Sequence, residues 1–280
     1  MTYDKYTCPV DHPGLRRDFI GSSDAAAIMG VSPWDTPFSL WEKTLGLRPS
    51  KELNCAMAYG IENESKVRKI LEEEMGIKLP SARVFSDQFP FLMANFDGLC
   101  GDYAIEIKSP GKEDHDLALQ GKIPEKYFPQ LQHLMLVAGL KEITYVSSKN
   151  NEIVKVNVKQ DKKYQKELLQ KEKEFHDMRV NFIEPQKTDR DYVKRSDISW
   201  RNLAHRYKTL KEWHEQVDSE LAEVKQELIY LSQGNSSEGA GIKLIKSNRK
   251  GNIDYTKIPE LEEIDLEKYR KPSIETWRII

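Results

Sequence analysis

The spacing of hydrophobic residues predicts several helices in the first half of the chain. Apolar side chains recur every three or four residues at 25–29, 36–45, 54–75 and 127–138, and a glycine follows each stretch. This spacing places the apolar side chains on one face of an α-helix. Glycine readily adopts the backbone conformation that ends a helix, so each of these segments has both a buried face and an end.

Extended segments lie between and after these helices. The predicted strands are 77–79, 82–85, 91–94, 143–147 and 152–158. The last two alternate apolar and polar residues with a period of two, which predicts a hairpin. Residues 112–126 are polar, so we expect a loop or a loose helix there. The pattern at 161–182 predicts an amphipathic helix. Together these elements indicate an α/β (α+β) domain in which helices flank a mixed central sheet.

The pattern changes near residue 190, which predicts a first domain at 1–190 and a second at 191–280. From Trp200 to Leu231 the steps between apolar positions alternate between three and four residues, the a/d pattern of a helix that packs on a partner helix. His214 lies in this seam, and we interpret it as a packed or register-setting residue rather than a ligand.

The remainder of the second region is polar, and only short elements are predicted in it. Residues 233–241 resemble a Gly/Ser linker, 242–255 a basic hairpin, and 261–269 a short helix. The basic side chains of the hairpin could touch phosphates or simply lie in solvent, and the sequence leaves both interpretations open.

Composition excludes some classes of protein without selecting one. The 280 residues include 43 Lys and Arg against 45 Asp and Glu, so any DNA-binding surface must be a local basic groove. The three cysteines, Cys8, Cys55 and Cys100, lie far apart, which indicates a reduced cytoplasmic protein and argues against a zinc or iron–sulfur site. No apolar run approaches the roughly 20 residues of a membrane span, so we expect no membrane partner.

The most informative stretch runs from Met93 to Pro110, Met-Ala-Asn-Phe-Asp-Gly-Leu-Cys-Gly-Asp-Tyr-Ala-Ile-Glu-Ile-Lys-Ser-Pro. It predicts two antiparallel strands whose ends bring Asp97 and Glu106 together. Side chains alternate along a strand, so Glu106 and Lys108 share one face. Paired carboxylates suit Mg²⁺ or Mn²⁺, which can polarise a phosphodiester, and a lysine can orient or deprotonate water beside them. This is nuclease chemistry, although Glu-x-Lys alone is also a common chance pattern on a charged strand.

Other segments add candidate polar groups. Glu64 falls among the apolar positions of its predicted helix. Burying a carboxylate there costs free energy unless a cation lies beside it. Gln130 lies at the solvent end of a mostly apolar helix. The Ser22-Ser23 helix start, with Arg16 upstream, has free backbone N–H groups that favour an anion, and an ordinary capped helix is the alternative.

In combination these residues resemble the PD-(D/E)xK nuclease superfamily and, within it, the lambda-exonuclease-like, YqaJ-type viral recombinase family. The blocks that carry the resemblance are Ile20-Gly-Ser-Ser-Asp-Ala-Ala-Ala-Ile28, Tyr59-Gly60-x-x-x-Glu64, Phe96-Asp97-Gly98-Leu99, Glu106-Ile107-Lys108 and Tyr127-x-x-Gln130-x-Gln132. Five blocks in the family's order are far more specific than any one of them. The family's usual Ser-Pro before the aspartate is Asn95-Phe96 here, which alters the turn but not the ligands.

The resemblance implies a restriction-endonuclease-like fold and a role for each candidate residue. The metal ligands would be Asp97, Glu106, Glu64 and the carbonyl of Ile107. Lys108 would activate the attacking water, and Gln130 would position Lys108 or the substrate. Arg16 and Ser23 would hold a terminal 5′-phosphate. Met57 matches the place of an apolar wedge that splays the duplex end, with core packing as the alternative.

The resemblance further implies a 5′-to-3′ exonuclease that digests one strand of linear duplex DNA. It would use Mg²⁺, as two ions that Mn²⁺ could replace, and work with a single-strand annealing protein in phage recombination. A ring-shaped homotrimer and a phage or prophage origin in a bacterial cytoplasm are implied in the same way. The alternatives are a restriction-type endonuclease and a non-catalytic DNA-binding or assembly protein. Residues 191–280 lie outside the resemblance and could mediate assembly, DNA contact or partner docking.

Overall fold

The computed structural model describes residues 19–49 and 55–247, together with the single residues 251, 258 and 264. The predicted helix at 261–269 and the second half of the predicted basic hairpin lie outside the described residues. So does Arg16. Among the described residues, no helix is both long and apolar enough to cross a membrane.

Seven α-helices and nine strands follow one another along the described chain. The helices are α1 (Ala25–Ile28), α2 (Pro37–Thr44), α3 (Cys55–Met75), α4 (Lys112–Leu119), α5 (Phe128–Ala138), α6 (Lys162–Val180) and α7 (Ile198–Leu231). The strands are β1 (Ile20–Gly21), β2 (Ala82–Phe85), β3 (Leu92–Phe96), β4 (Gly98–Cys100), β5 (Tyr103–Lys108), β6 (Glu142–Lys149), β7 (Glu152–Lys159), β8 (Ser237–Gly239) and β9 (Ile242–Leu244).

The predicted mixed sheet is confirmed, with a break at one residue. One hydrogen-bonded set has the order β1-β3-β2 and the other has the order β4-β5-β6-β7. Strands β3 and β4 are separated only by Asp97, so the chain passes from one set to the other at this aspartate. Strand β5 pairs antiparallel with β4 and parallel with β6. The centre of the sheet therefore carries the Asp97 bend and the Glu106–Lys108 end of β5 side by side.

Local chemistry explains where the helices begin and end. The Thr36 hydroxyl accepts a hydrogen bond from the Ser39 backbone N–H at 3.0 Å, and Pro37 occupies the first turn of α2, where its missing N–H costs nothing. Helix α5 ends at Gly139, whose φ of 68° is the left-handed conformation that glycine adopts without strain. The tight turn between β6 and β7 likewise uses two asparagines with positive φ, Asn150 and Asn151.

The main core lies between the sheet and helices α1, α5 and α6. Its fully buried members include Leu92, Leu131, Leu134 and Tyr145. A smaller cluster packs α3 against the β5 side of the sheet through Val67, Leu71, Leu79, Ile105, Ile107 and Val146. This second cluster fixes α3 beside the strand that carries Glu106.

The structure corrects several predicted details. Residues 77–79 are not a strand, because Leu79 is held instead by a hydrogen bond from its backbone N–H to the Glu72 carboxylate at 2.7 Å. The first part of the polar segment 112–126 is a regular helix, α4. Ile61 and Ile70 are exposed although they lie at helical spacing, because α3 buries only a narrow stripe. The predicted linker at 233–241 contains β8, which pairs with β9.

The chain divides into two compact units between Lys194 and Arg195. The first contains every α-helix and strand up to α6 and β7. The second begins with α7, whose first turn is capped by Asp197 through a 2.9 Å hydrogen bond from the Trp200 backbone N–H. Within the described residues, its other regular elements are β8 and β9.

Candidate functional site

The strand register brings the two predicted carboxylates together. Gly98 on β4 pairs with Ile105 on β5, so the preceding Asp97 lies beside Glu106, as the sequence predicts. The backbone N–H of Ile107 donates a 2.7 Å hydrogen bond to Asp97 Oδ2. A methyl group on Gly98 would come within 2.8 Å of the Ile105 side chain and within 3.0 Å of Leu79. The close approach of β4 to β5 at Asp97 therefore depends on a glycine.

Glu106 is the centre of the site. The residue is only 2% exposed, and its Oε1 atom accepts hydrogen bonds from Lys108 Nζ at 2.6 Å and from Gln130 Nε2 at 2.5 Å. Its other oxygen, Oε2, is buried without a hydrogen-bond partner. Burying such an atom unpaired costs free energy, so Oε2 marks a place where a donor or a cation is expected.

Burial and like charge shift the proton affinities of these groups. Burial, followed by the neighbouring Asp97 charge, raises the pKa of Glu106 to about 8. Burial raises the pKa of Asp97 above its ordinary value, although Lys108 and the Ile107 N–H oppose this. Burial acts to lower the pKa of Lys108, but the Glu106 and Asp97 carboxylates outweigh it and raise that pKa overall. Lys108 is therefore a cation held between carboxylates.

Glu64 lies on helix α3, close enough to Asp97 for the two charges to interact. It lies one turn before Arg68, whose Nη2 atom is 3.7 Å from Glu64 Oε1. Arg68 Nη1 donates a 2.8 Å hydrogen bond to the carbonyl oxygen of Asp97. Burial and then the Asp97 charge raise the pKa of Glu64. Helix α3 thus contributes a third carboxylate, whose charge interacts with those of Asp97 and Glu106.

Two residues of the site were not identified as site residues from the sequence. Arg68 links Glu64 to the Asp97 bend, and its i+4 spacing from Glu64 was the available signal. The ring of Tyr127 lies 5.8 Å from Lys108 Nζ, within the range of a cation–π interaction. Tyr127 belongs to the block that contains Gln130, so it could have been recognised with it.

Other predicted site residues do not enter this cluster or cannot be placed. Ser23 lies on a short 3₁₀ turn (Ser22–Asp24) that follows β1, and its side chain is exposed. Arg16 lies outside the described residues, and the side chain of Met57 is not described. Ile107 contributes a backbone N–H to Asp97. Its predicted metal-binding carbonyl stays a prediction.

The donor set fits a hard divalent cation. Asp97 and Glu106 present carboxylate oxygens side by side, and the unpartnered Glu106 Oε2 is a free acceptor within that pair. Among the described side chains, no three His, Cys, Asp or Glu residues already converge as a formed metal site. Asp97 and Glu106 would therefore hold the ion, with Glu64 approaching from α3. When bound, Mg²⁺ or Mn²⁺ would polarise a phosphodiester and acidify water.

Comparison with known proteins finds a family model that is similar to the segment containing this cluster. Residues 11–141 match the family model of the YqaJ-like viral recombinase domain. The boundaries enclose every residue of the carboxylate cluster, from Glu64 to Gln130. The match confirms the resemblance that the five sequence blocks indicated.

One curated relative and two solved structures extend the comparison. The uncharacterized protein YqaJ of Bacillus subtilis (strain 168) is 35% identical over 129 residues, which cover 44% of this chain and 40% of that protein. An alkaline exonuclease from Laribacter hongkongensis, LHK-Exo, matches with a TM-score of 0.52 and 22% identity over 60% of this chain and 91% of that one. Its complex with dAMP matches with the same TM-score and 21% identity, over 61% and 92% of the two chains.

These matches show the fold and set the extent of the likeness. Over 60% of its length this chain shares the fold of an alkaline exonuclease, which confirms the predicted fold class. The matched segment spans well under half of the curated relative. Residues after 141 lie outside the family match.

Proposed function

We propose that this chain is a Mg²⁺-dependent 5′-to-3′ exonuclease that hydrolyses one strand of linear double-stranded DNA. It would act from 5′-phosphorylated ends and release mononucleotides, leaving 3′ single-stranded tails. The observation that carries this proposal is the buried Glu106 carboxylate, bonded to Lys108 and Gln130 and adjacent to Asp97, with one oxygen free for a cation.

The chain's own groups support a role in phosphodiester hydrolysis. Lys108 is held as a cation by its neighbours, so it is suited to orient a phosphate oxygen and to stabilise the negative charge that develops there. Gln130 shares Glu106 Oε1 with Lys108 and therefore fixes the position of both side chains. Arg68 holds the Asp97 bend from α3. The base role of Lys108 stays a prediction of the resemblance.

The preference for 5′-phosphorylated ends comes from the sequence resemblance, and the likeness to LHK-Exo supports the mononucleotide product. The LHK-Exo structure with dAMP shows that protein with a deoxynucleoside monophosphate, the class of product an exonuclease releases. For this chain, Arg16 and Ser23 are the proposed 5′-phosphate contacts and Met57 the proposed wedge. A ring-shaped homotrimer, a single-strand annealing partner and a phage-type role in the bacterial cytoplasm belong to the same proposal.

Digestion of end-labelled DNA tests the proposal directly. Linear duplex labelled at the 5′ or the 3′ end is incubated with Mg²⁺, beside closed circular DNA. We expect early release of 5′-labelled mononucleotide and an intact circle. Cutting of the circle would support a restriction-type endonuclease, and DNA binding without cleavage would support the non-catalytic alternative.

The 5′-phosphate site has a separate test. Arg16→Ala should reduce the rate on 5′-phosphorylated ends relative to 5′-hydroxyl ends, because the proposed partner of the phosphate is lost. Arg17→Ala is the matched control. An unchanged ratio in the Arg16 variant would remove this residue from the role.

A further inference from the structure

Helix α7 carries an apolar stripe that runs along its whole length. No residue of α7 is buried, although nine apolar or aromatic side chains occupy its a/d positions. These are Trp200, Leu203, Tyr207, Leu210, Val217, Leu221, Val224, Leu228 and Leu231. A contiguous exposed stripe of this size is unusual on a soluble surface and indicates an interaction site. The 3–4 spacing fits another helix better than a flat surface.

The charges of α7 are separated along its axis. Residues 198–211 carry four Lys and Arg and no carboxylate, a formal charge of +4. Residues 212–231 carry six Asp and Glu and one lysine, a formal charge of −5. This polarity opposes the helix macrodipole, which favours anions at the amino end and cations at the carboxyl end. The arrangement is therefore unfavourable within one isolated helix and requires an explanation outside it.

We propose that α7 pairs with α7 of a second copy of this chain in antiparallel orientation. In that orientation the basic half of each helix lies against the acidic half of the other, so the separated charges become complementary. A parallel pair would place basic beside basic and acidic beside acidic. Of the two orientations, the antiparallel one matches both the apolar stripe and the charge polarity.

The heptad positions define a specific register. In an antiparallel pair, residues at position a of the heptad face residues at position d of the other copy. Leu203 then lies against Leu228 towards each end of the pair, and Leu210 lies against Leu221 nearer the centre. His214 then falls next to Val217 at the centre, where a single polar a residue favours one register over others.

The flanking positions agree with the antiparallel pair. Lys211 at e lies near Asp218 of the second copy, and Arg206 at g lies near Glu227 of the second copy. In a parallel pair, Arg206 at g would instead face Lys211 at e, which is repulsive. The proposal concerns residues 198–231 alone and does not rest on nuclease activity. It adds one two-fold contact to any assembly that the first unit makes.

Disulfide trapping distinguishes the orientations. Single-cysteine variants Leu203→Cys and Leu228→Cys are made in full-length protein with Cys8, Cys55 and Cys100 changed to serine. The two variants are mixed under mild oxidation, and cross-linked peptides are identified by mass spectrometry. We expect cross-links between position 203 and position 228, with few between identical positions. Gln226→Cys, at the outward f position, is the matched control and should remain largely uncross-linked.

Charge reversal provides an independent test. Lys211→Glu should weaken self-association measured by analytical ultracentrifugation, and Asp218→Lys should do the same. The double variant should recover association, because each reversed charge again meets its opposite on the second copy. Leu210→Asp should raise the dissociation constant by at least about a hundredfold, since a charge then enters two apolar layers.

Each other result overturns the proposal. Cross-links between identical positions would establish a parallel pair. If no cross-links form at positions 203 and 228, and Leu210→Asp leaves the mass measured by analytical ultracentrifugation unchanged, α7 does not pair with itself. DNA digestion by the same proteins is scored separately, so loss of pairing and loss of nuclease activity are distinguishable.

Discussion

The two units of this chain use polar residues in opposite ways. In the first unit, charged groups lie inside the fold and meet specific partners: Glu106 with Lys108, and His133 with Glu172. In the second, α7 keeps every charge in solvent and buries none of its apolar residues. Chemistry requires buried groups whose positions are fixed, whereas association requires an accessible face. The candidate site therefore lies in the first unit, and the proposed pairing surface lies in the second.

The strongest test of this contrast removes a charge from the carboxylate cluster. Glu106→Gln keeps the shape of the side chain but loses the acceptor charge that pairs with Lys108 and a cation. We expect Mg²⁺-dependent digestion of linear duplex to fall by about a thousandfold or more. Lys108→Ala should have a similar effect. As the matched control, Glu212→Gln changes a charge that α7 exposes.

The control and the fold decide how this result is interpreted. Circular dichroism and the yield of soluble protein should be unchanged for both site variants. If Glu106→Gln cleaves normally, the cluster has no role in hydrolysis. If the variants do not fold, the pair is structural, and the Glu-x-Lys pattern is then a charged strand without catalytic meaning.

The second test concerns a buried pair away from the site. His133 Nδ1 lies 2.6 Å from Glu172 Oε1, and His133 Nε2 lies 2.9 Å from the Met93 carbonyl oxygen. Both ring nitrogens therefore have acceptors, as in a protonated imidazole. His133→Gln should lower the free energy of unfolding by about 3–5 kcal/mol, because Glu172 would remain buried without a cation. Urea titration measures this change, and His205→Gln, at an exposed outward position of α7, is the control.

The same pair predicts a pH dependence of stability. Burial acts to lower the pKa of His133, but Glu172 outweighs it and raises that pKa above the ordinary 6.5. A histidine whose pKa is raised by folding adds to the free energy of unfolding, and this contribution is complete below pH 6.5. It is lost as pH rises through the pKa of the folded state. Wild-type protein should therefore lose stability over that range, and His133→Gln should not. Parallel pH profiles would contradict the charged pair.

Much of the site could be predicted because it depends on local register. Asp97, Glu106 and Lys108 lie within twelve residues of one another, and strand alternation fixes which side chains share a face. Gln130 was identified through its sequence block, and the structure joins it to Glu106. The mixed fold also followed from periodicity, since helices and strands differ in the spacing of their buried residues.

What could not be predicted depends on distant contacts. Arg68 acts only because α3 packs beside β5, and His133 acts only because Glu172 lies beside it, 39 positions later. The exposure of Ile61 and Ile70 likewise depends on how narrow a stripe the sheet covers. Periodicity identifies a face of a helix but not how much of that face is buried.

A third test uses pH to examine the free oxygen of Glu106. Because burial and the Asp97 charge raise the pKa of Glu106 to about 8, its charged form, which binds a cation, gains population as pH rises through this value. Affinity for Mn²⁺ should therefore rise on the order of twentyfold between pH 6.5 and 8.5 and level off above this range. Calorimetric titration at several pH values measures this rise. Glu106→Gln should abolish the pH dependence, whereas a pH-independent wild-type affinity would place the cation elsewhere.

The smallest expected effect is that of one methyl group. Gly98→Ala should lower the free energy of unfolding by about 1–3 kcal/mol, because the new Cβ would lie within 2.8 Å of Ile105 and 3.0 Å of Leu79. Gly60→Ala in α3 is the matched control: nothing lies within 4 Å of its Cβ, and alanine favours a helix, so stability should rise by up to about 1 kcal/mol. If urea titrations show that the free energy of unfolding falls for Gly98→Ala and rises for Gly60→Ala, the close approach of β4 to β5, and not glycine flexibility, is what requires Gly98. Since this approach places Asp97 beside Glu106, the Gly98 variant should also bind Mn²⁺ more weakly, and equal affinity would show that the carboxylates tolerate a wider strand separation.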